Sequence, residues 1–193
     1  MDQERIGDAL RRSAGCGSGV LDRRARRSRD LAWCRGRRSE LKRHPALIPL
    51  SHDHHAELVQ ARRLRLASGS DVAEARVAAA QLYVAAFFTE SASHFRVEEE
   101  QLFPLLTRDG GSSPLLEQVL SEHQELRRLA ATLREEAAAG AASGATMLQL
   151  ADLLESNARR EERELFPLIE RTVPDAELRA LDLRSSVTAM SGG

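Results

Sequence analysis

Aromatic residues are scarce in this chain, at 4% of its 193 residues, while hydrophobic residues of all kinds make up 42%. The core must therefore be aliphatic. Its Leu and Ala are strong helix formers and β-branched runs are few, which argues for an all-α fold. Cysteine is nearly absent as well. Cys16 and Cys34 both fall in the leading segment without metal-ligand spacing, so a disulfide framework is not expected and a reducing cytoplasm is the expected location. No stretch reaches the roughly eighteen apolar residues that a membrane span needs. Asp2, Glu4 and Asp8 at the N-terminus, with no apolar segment behind them, do not read as a secretory signal. Also missing are a phosphate-binding loop, a dinucleotide-binding glycine pattern and a paired nucleophile and base. No residue identifies a substrate.

A net charge of −1 hides a division along the chain. Residues 1–43 carry 13 Lys and Arg against 6 Asp and Glu, leaving 15 against 23 for residues 44–193. The basic leader is interrupted by Gly15-Cys16-Gly17-Ser18-Gly19 and has few apolar anchors beyond Trp33, so it is expected to be a low-order segment. Its arginines alone do not argue for nucleic acid. Residues 44–184 form the folded body, and 185–193 a frayed tail.

Within the body the punctuation predicts four long helices. Pro45 and Pro49 keep the lead-in extended, and Ser51 is the expected cap of a first helix to about Ala67. Its apolar stripe is read through Leu50, Leu58, Ala61 and Leu66, and Ser68-Gly69-Ser70 breaks it. Asp71 is expected to cap a second helix through about Leu102, stopped or kinked by Pro104, with Val77, Leu82, Val84, Phe87 and Phe88 as its buried face. Ser113-Pro114 caps a third helix to about Ala139. A fourth runs from about Thr146 to Phe166, closed by Pro167, and Pro174 opens a short C-terminal helix. Short connections between long helices predict an up-down-up-down four-helix bundle.

The bundle repeats itself. His94-Phe95-Arg96-Val97-Glu98-Glu99-Glu100-Gln101-Leu102-Phe103-Pro104 returns as Asn157-Ala158-Arg159-Arg160-Glu161-Glu162-Arg163-Glu164-Leu165-Phe166-Pro167, at a constant offset of 63. His55-Ala56-Glu57-Leu58 aligns with His123-Gln124-Glu125-Leu126 at an offset of 68. Four residues advance a helix by about 400°, so His94 and Glu98 leave it within about 40° of each other. Each half thus supplies one lone histidine and one turn carrying a His or Asn with a Glu. On this alignment His55, His94, Glu98, His123 and Glu161 converge in the bundle core, while His54 faces away and His52 lies near the surface. Three imidazoles and two carboxylates exceed what one tetrahedral zinc uses. A pair of metal ions bridged by Glu98 and Glu161 accounts for them better, since buried carboxylates are costly unless paired or coordinated. Taken singly, each of these residues reads equally well as a solvated helix position. Their recurrence in register is what argues for a site.

These motifs, together with Leu50-Ser51-His52-Asp53-His54-His55 and Glu122-His123, resemble the haemerythrin-like, or HHE cation-binding, family over roughly residues 44–170. The resemblance implies a four-helix bundle with a non-haem di-iron site and bridging carboxylates, in proteins that bind O2, sense oxygen, iron or NO, or handle iron. It places His55, His94, Glu98, His123 and Glu161 on ligand positions. Two positions depart from the family pattern: its usual fourth-helix histidine is Asn157 here, and the second third-helix histidine of the oxygen carriers is Arg127. A lopsided iron pair, a single ion or a degenerate site would each be compatible. The sequence therefore carries two main readings. One is a cytoplasmic iron protein that binds a diatomic ligand or handles iron rather than catalysing a reaction; an oxidase at an open iron is its variant. The other is a metal-free helical interaction or regulatory module, favoured by Asn157.

Overall fold

The computed structural model describes residues 42–108 and 113–183. Residues 1–41 of the basic leading segment, with Trp33, loop residues 109–112 and residues 184–193 lie outside the described residues.

A 3-10 turn, Pro45–Leu47, leads into helix α1, Ile48–Ser68. Helix α2, Ala73–Ala86, continues through a π turn, Phe87–Ser91, into α3, Ala92–Val97. A second π turn, Glu98–Leu102, and the short α4, Pro104–Thr107, complete that arm. Helix α5 spans Pro114–Ala138, and α6 spans Gly144–Arg160. A third π turn, Glu161–Leu165, passes into α7, Phe166–Thr172, and α8 is Asp175–Ala180. Helix α1 packs on α2 and α6, and α5 packs on the same two. The four arms therefore close into a bundle, as the periodicity predicts, and no strand occurs among the described residues.

Local chemistry sets several ends. The Ser113 hydroxyl accepts the Leu116 N–H at 3.3 Å with Pro114 opening α5, and Ser143 accepts from Thr146 in the same way at the start of α6. Gly140, at φ 73°, turns the chain left-handed after α5 while the Ala141 N–H closes on the Glu136 carbonyl at 2.9 Å. Gly144 is required by proximity: a Cβ there would stand 2.5 Å from the Ser68 carbonyl oxygen, where α6 begins beside the end of α1. Ser51 and Asp71 are not caps. Helix α1 begins earlier, with Pro49 tolerated in its first turn, and Val72 precedes α2 without a side-chain cap bond.

Neither proline of the repeated motif stops its helix. Before each one the backbone widens into a π turn, with Phe103 N–H reaching Glu98 O at 2.8 Å and Phe166 N–H bonding Glu161 O. The proline ring then meets a loosened turn in place of a regular α turn whose carbonyl it would strike. Glu98 and Glu161 open these two π turns at matching positions, so the repeat extends to the backbone geometry.

The apolar core divides in two. One cluster holds Leu64, Phe87, Phe95, Leu126, Leu133, Met147 and Leu154. The other holds Leu47, Leu50, Leu102, Phe103, Val119, Leu165 and Phe166. On α1, on α5 and along α6, buried polar residues stand between members of the two: His54, His123 and Asn157. Leu66, Leu82 and Phe88, expected inside, are exposed.

Candidate metal centre

The polar layer consists of His54 on α1, His94 and Glu98 on the second arm, His123 on α5, and Asn157 and Glu161 on the fourth arm, all buried. Ligand-type atoms of His54, His94, Glu98 and Glu161 lie within 4.8 Å of one another. His123 Nε2 joins them, 3.0 Å from Glu161 Oε1 and 3.7 Å from Glu98 Oε2. Of the residues expected from the sequence, His94, Glu98, His123 and Glu161 come together and His55 does not. His55 is turned to solvent, and His54, one residue earlier, occupies the core. The physical reason is the phase of α1. Its buried positions are Leu50, His54, Glu57, Ala61 and Leu64, spaced by alternating fours and threes. A glutamate within that stripe disguises it, whereas the exposed Leu66 suggests a neighbouring face.

Each histidine is oriented from behind. His123 donates through Nδ1 to Glu99 Oε1 at 2.8 Å, His54 through Nδ1 to Glu162 Oε1 at 2.8 Å, and His94 through Nδ1 to Asp53 Oδ2 at 3.3 Å. An ionised carboxylate only accepts, so every Nδ1 carries hydrogen and every Nε2 is turned toward the shared centre. The carboxylates are fixed in turn. Arg127 grips both oxygens of Glu99 at 3.0 Å, and Arg43 reaches Glu162 at 2.7 Å. Ring faces complete the hold, with Phe166 stacked on His54 at 5.2 Å, and Phe103 and Phe95 stacked on His123 at 6.0 and 4.0 Å. The sequence reading missed Asp53, His54, Glu99, Glu162 and the stacking role of the repeated Phe-Pro. The signal for two of them was present: Glu99 and Glu162 correspond at the offset of 63.

Asn157 stands where the repeat places the counterpart of His94. Its amide nitrogen donates to Glu122 Oε2 at 3.3 Å and to Glu161 Oε1 at 3.1 Å, while Oδ1 is buried without a hydrogen bond. Glu122 occupies the same relation to Asn157 that Asp53 holds to His94, and Arg160 pairs with it at 3.0 Å. Arg127, the other departure from the family pattern, serves Glu99.

The charges are strongly coupled. Burial works against an imidazolium at His123, but hydrogen bonds to Glu161 and Glu99 overcome it and raise the pKa to about 10. His54 and His94 are raised likewise, against burial, by their carboxylate neighbours. Burial and the charge of Glu161 push Glu98 upward. Burial also opposes ionisation of Glu161, yet the hydrogen bond from His123 and the close approach of His54 carry it far below the usual carboxylate range. Without a metal, then, imidazolium groups balance the carboxylates.

That balance is incomplete in hydrogen bonds. His54 Nε2, His94 Nε2, both oxygens of Glu98 and Glu161 Oε2 are buried without one. His54 Nε2 approaches Glu161 Oε2 to 2.7 Å, but outside hydrogen-bond alignment. Imidazole nitrogens and carboxylate oxygens turned inward, desolvated and unsatisfied, fit a bound cation, which would replace the repulsions and missing bonds with coordination. No helix of the described residues is long and apolar enough to cross a membrane.

A family model for the hemerythrin HHE cation-binding domain matches residues 46–169. No curated protein and no solved structure matches the chain. The matched span begins before α1 and ends within α7, so it contains every residue of the polar layer. The chain belongs to the hemerythrin HHE cation-binding domain family.

Proposed function

We propose that the bundle is a non-haem iron protein that binds or senses O2 or NO, or handles iron. Glu98 and Glu161 would supply carboxylate oxygens to one or two ions, with His54, His94 and His123 as nitrogen ligands. The observation that carries this reading is the set of three Nδ1-to-carboxylate bonds, which present three Nε2 atoms to the two buried glutamates. Such backing fixes the tautomer and raises the basicity of a metal-ligating histidine. Imidazole and carboxylate together suit iron. When bound, ferrous iron would supply electrons and an attachment point for a small ligand. The chain's own part is to hold the donors in place, with the two apolar clusters keeping bulk water away. Asn157 offers no imidazole, so the His54/His94 side is the richer in nitrogen. Iron per chain after anaerobic reconstitution tests the reading, with oxygen and NO difference spectra on the loaded protein. One or two ions with a gas-dependent spectrum supports it; no bound iron overturns it.

The second reading, a metal-free module, is favoured by one contact. The Asn157 amide occupies Glu161 Oε1, which a metal would otherwise claim. It predicts equal melting temperatures with and without iron, because a ligand selective for the folded state must stabilise it.

A further inference from the structure

A cavity of about 100 Å³ lies beside the polar layer, lined by residues of α1, α2 and the first π turn, together with His94. Its volume is several times the ~10–15 Å³ that one water needs. Three carboxylates line it, Asp53, Glu57 and Glu90, and no Lys or Arg does among the described residues. Glu90 is exposed, whereas Glu57 is 4% exposed. Neither Glu57 oxygen makes a hydrogen bond, although the Ser91 hydroxyl is near enough to interact with the carboxyl. The Tyr83 hydroxyl, on a residue 3% exposed, lines the same cavity and is also without a hydrogen bond.

Two unsatisfied, buried oxygen-bearing side chains thus line the chamber, with the carboxylates of Asp53 and Glu90 beside them. Carboxylate, phenol, the Gln60 amide and the Ser91 hydroxyl provide oxygen donors. Apart from His94, whose Nδ1 is engaged by Asp53, the polar lining offers no imidazole and no thiol. Oxygen donors without soft ligands select hard cations, which keep part of their water shell. The geometry points to a second cation site in this cavity, distinct from the His54/His94/Glu98/Glu161 cluster: a partly hydrated divalent cation held by Glu57, with Tyr83, Ser91 and Gln60 as oxygen partners and Asp53 and Glu90 on the solvent side. It does not depend on iron in the histidine cluster.

Tyr83 provides the assay, because it is the chain's one tyrosine. Terbium(III) shares the oxygen preference of hard divalent cations and luminesces when a nearby tyrosine is excited. In a Trp33→Phe background of the full chain, titrated terbium is expected to give saturable tyrosine-sensitised emission that Mn²⁺ or Ca²⁺ displaces. Glu57→Gln should weaken terbium binding by roughly tenfold or more, since such sites depend on ligand charge count. Glu98→Gln should leave the emission in place. Glu90→Gln, at an exposed position that does not disturb the core, should weaken binding more mildly and covers the case in which Glu57→Gln unfolds. Absence of sensitised emission overturns the proposal. So does emission insensitive to Glu57→Gln in a folded variant, or emission abolished by Glu98→Gln, which would place the ion in the histidine cluster. Failure of iron to bind that cluster would sink the iron reading and leave this one standing.

Discussion

His54 of the first helical hairpin is held by Glu162 of the second, through Nδ1 at 2.8 Å. The mirror contact exists at the same distance, with His123 of the second hairpin held by Glu99 of the first. Phe166 and Phe103 make the same exchange, each stacking on the other half's histidine. The two hairpins therefore complete each other's histidine sites, and neither half is a site alone. Within each half a shorter link repeats: Asp53 to His94, and Glu122 to Asn157.

The adjacent histidines of α1 separate the core position from the surface one. His54→Ala is expected to abolish or sharply reduce iron binding, whereas His55→Ala should leave it unchanged. Iron per chain on anaerobically reconstituted protein decides between them. Equal losses in both variants would mean that α1 rotates when metal binds.

Glu99 acts on the centre through His123. Glu99→Gln keeps the shape but removes the charge behind Nδ1, and about 10- to 100-fold weaker metal binding is expected, the usual effect of such partners. Arg127→Ala should do less, since it leaves the carboxylate in place. A competitive chelator titration measures both, and an unchanged affinity in Glu99→Gln would remove the backing role.

Asn157→His should strengthen the poorer side of the cluster. Glu122 is already placed to accept the new Nδ1–H, as Asp53 does for His94. The expected result is a rise in bound iron or in affinity, read by elemental analysis. No gain would show that Arg160, which pairs with Glu122, prevents the carboxylate from turning toward the ring.

The metal-free protein should be most stable in mildly acidic solution. The pKa of His123 is raised from 6.5 to about 10, so its contribution is complete below 6.5 and is lost as pH rises through 10. The raised carboxyl of Glu98 acts in the same direction, because the folded state keeps a proton that the unfolded chain releases above 4.5. Glu162 is lowered from 4.5 to about 2, chiefly by His54 acting against burial, so its contribution is present above 4.5 and lost as pH falls through 2. Urea midpoints of chelator-treated protein across pH should peak between about 4.5 and 6.5 and decline on both sides. His123→Gln should flatten the alkaline decline. Metal must displace protons from these imidazoles, so iron affinity should rise with pH over the same alkaline range.

Sequence alone determined the helical class, the two-hairpin repeat and four members of the polar layer. Those follow from local signals: apolar periodicity, Ser113 before Pro114, and an offset of 63 that pairs Glu98 with Glu161. It did not determine the phase of α1 against its neighbours. Neighbouring residues on a helix differ by about 100°, and with Glu57 buried and Leu66 exposed, hydrophobicity pointed to the wrong face. Only packing against α2 and α6 chose His54 over His55. The prolines show the same limit, because a proline alone reads as a helix stop and only the folded backbone has the π turns that accommodate Pro104 and Pro167. The carboxylates behind the histidines were decided last of all, since Glu99 and Glu162 acquire their partners only when the two hairpins close on each other.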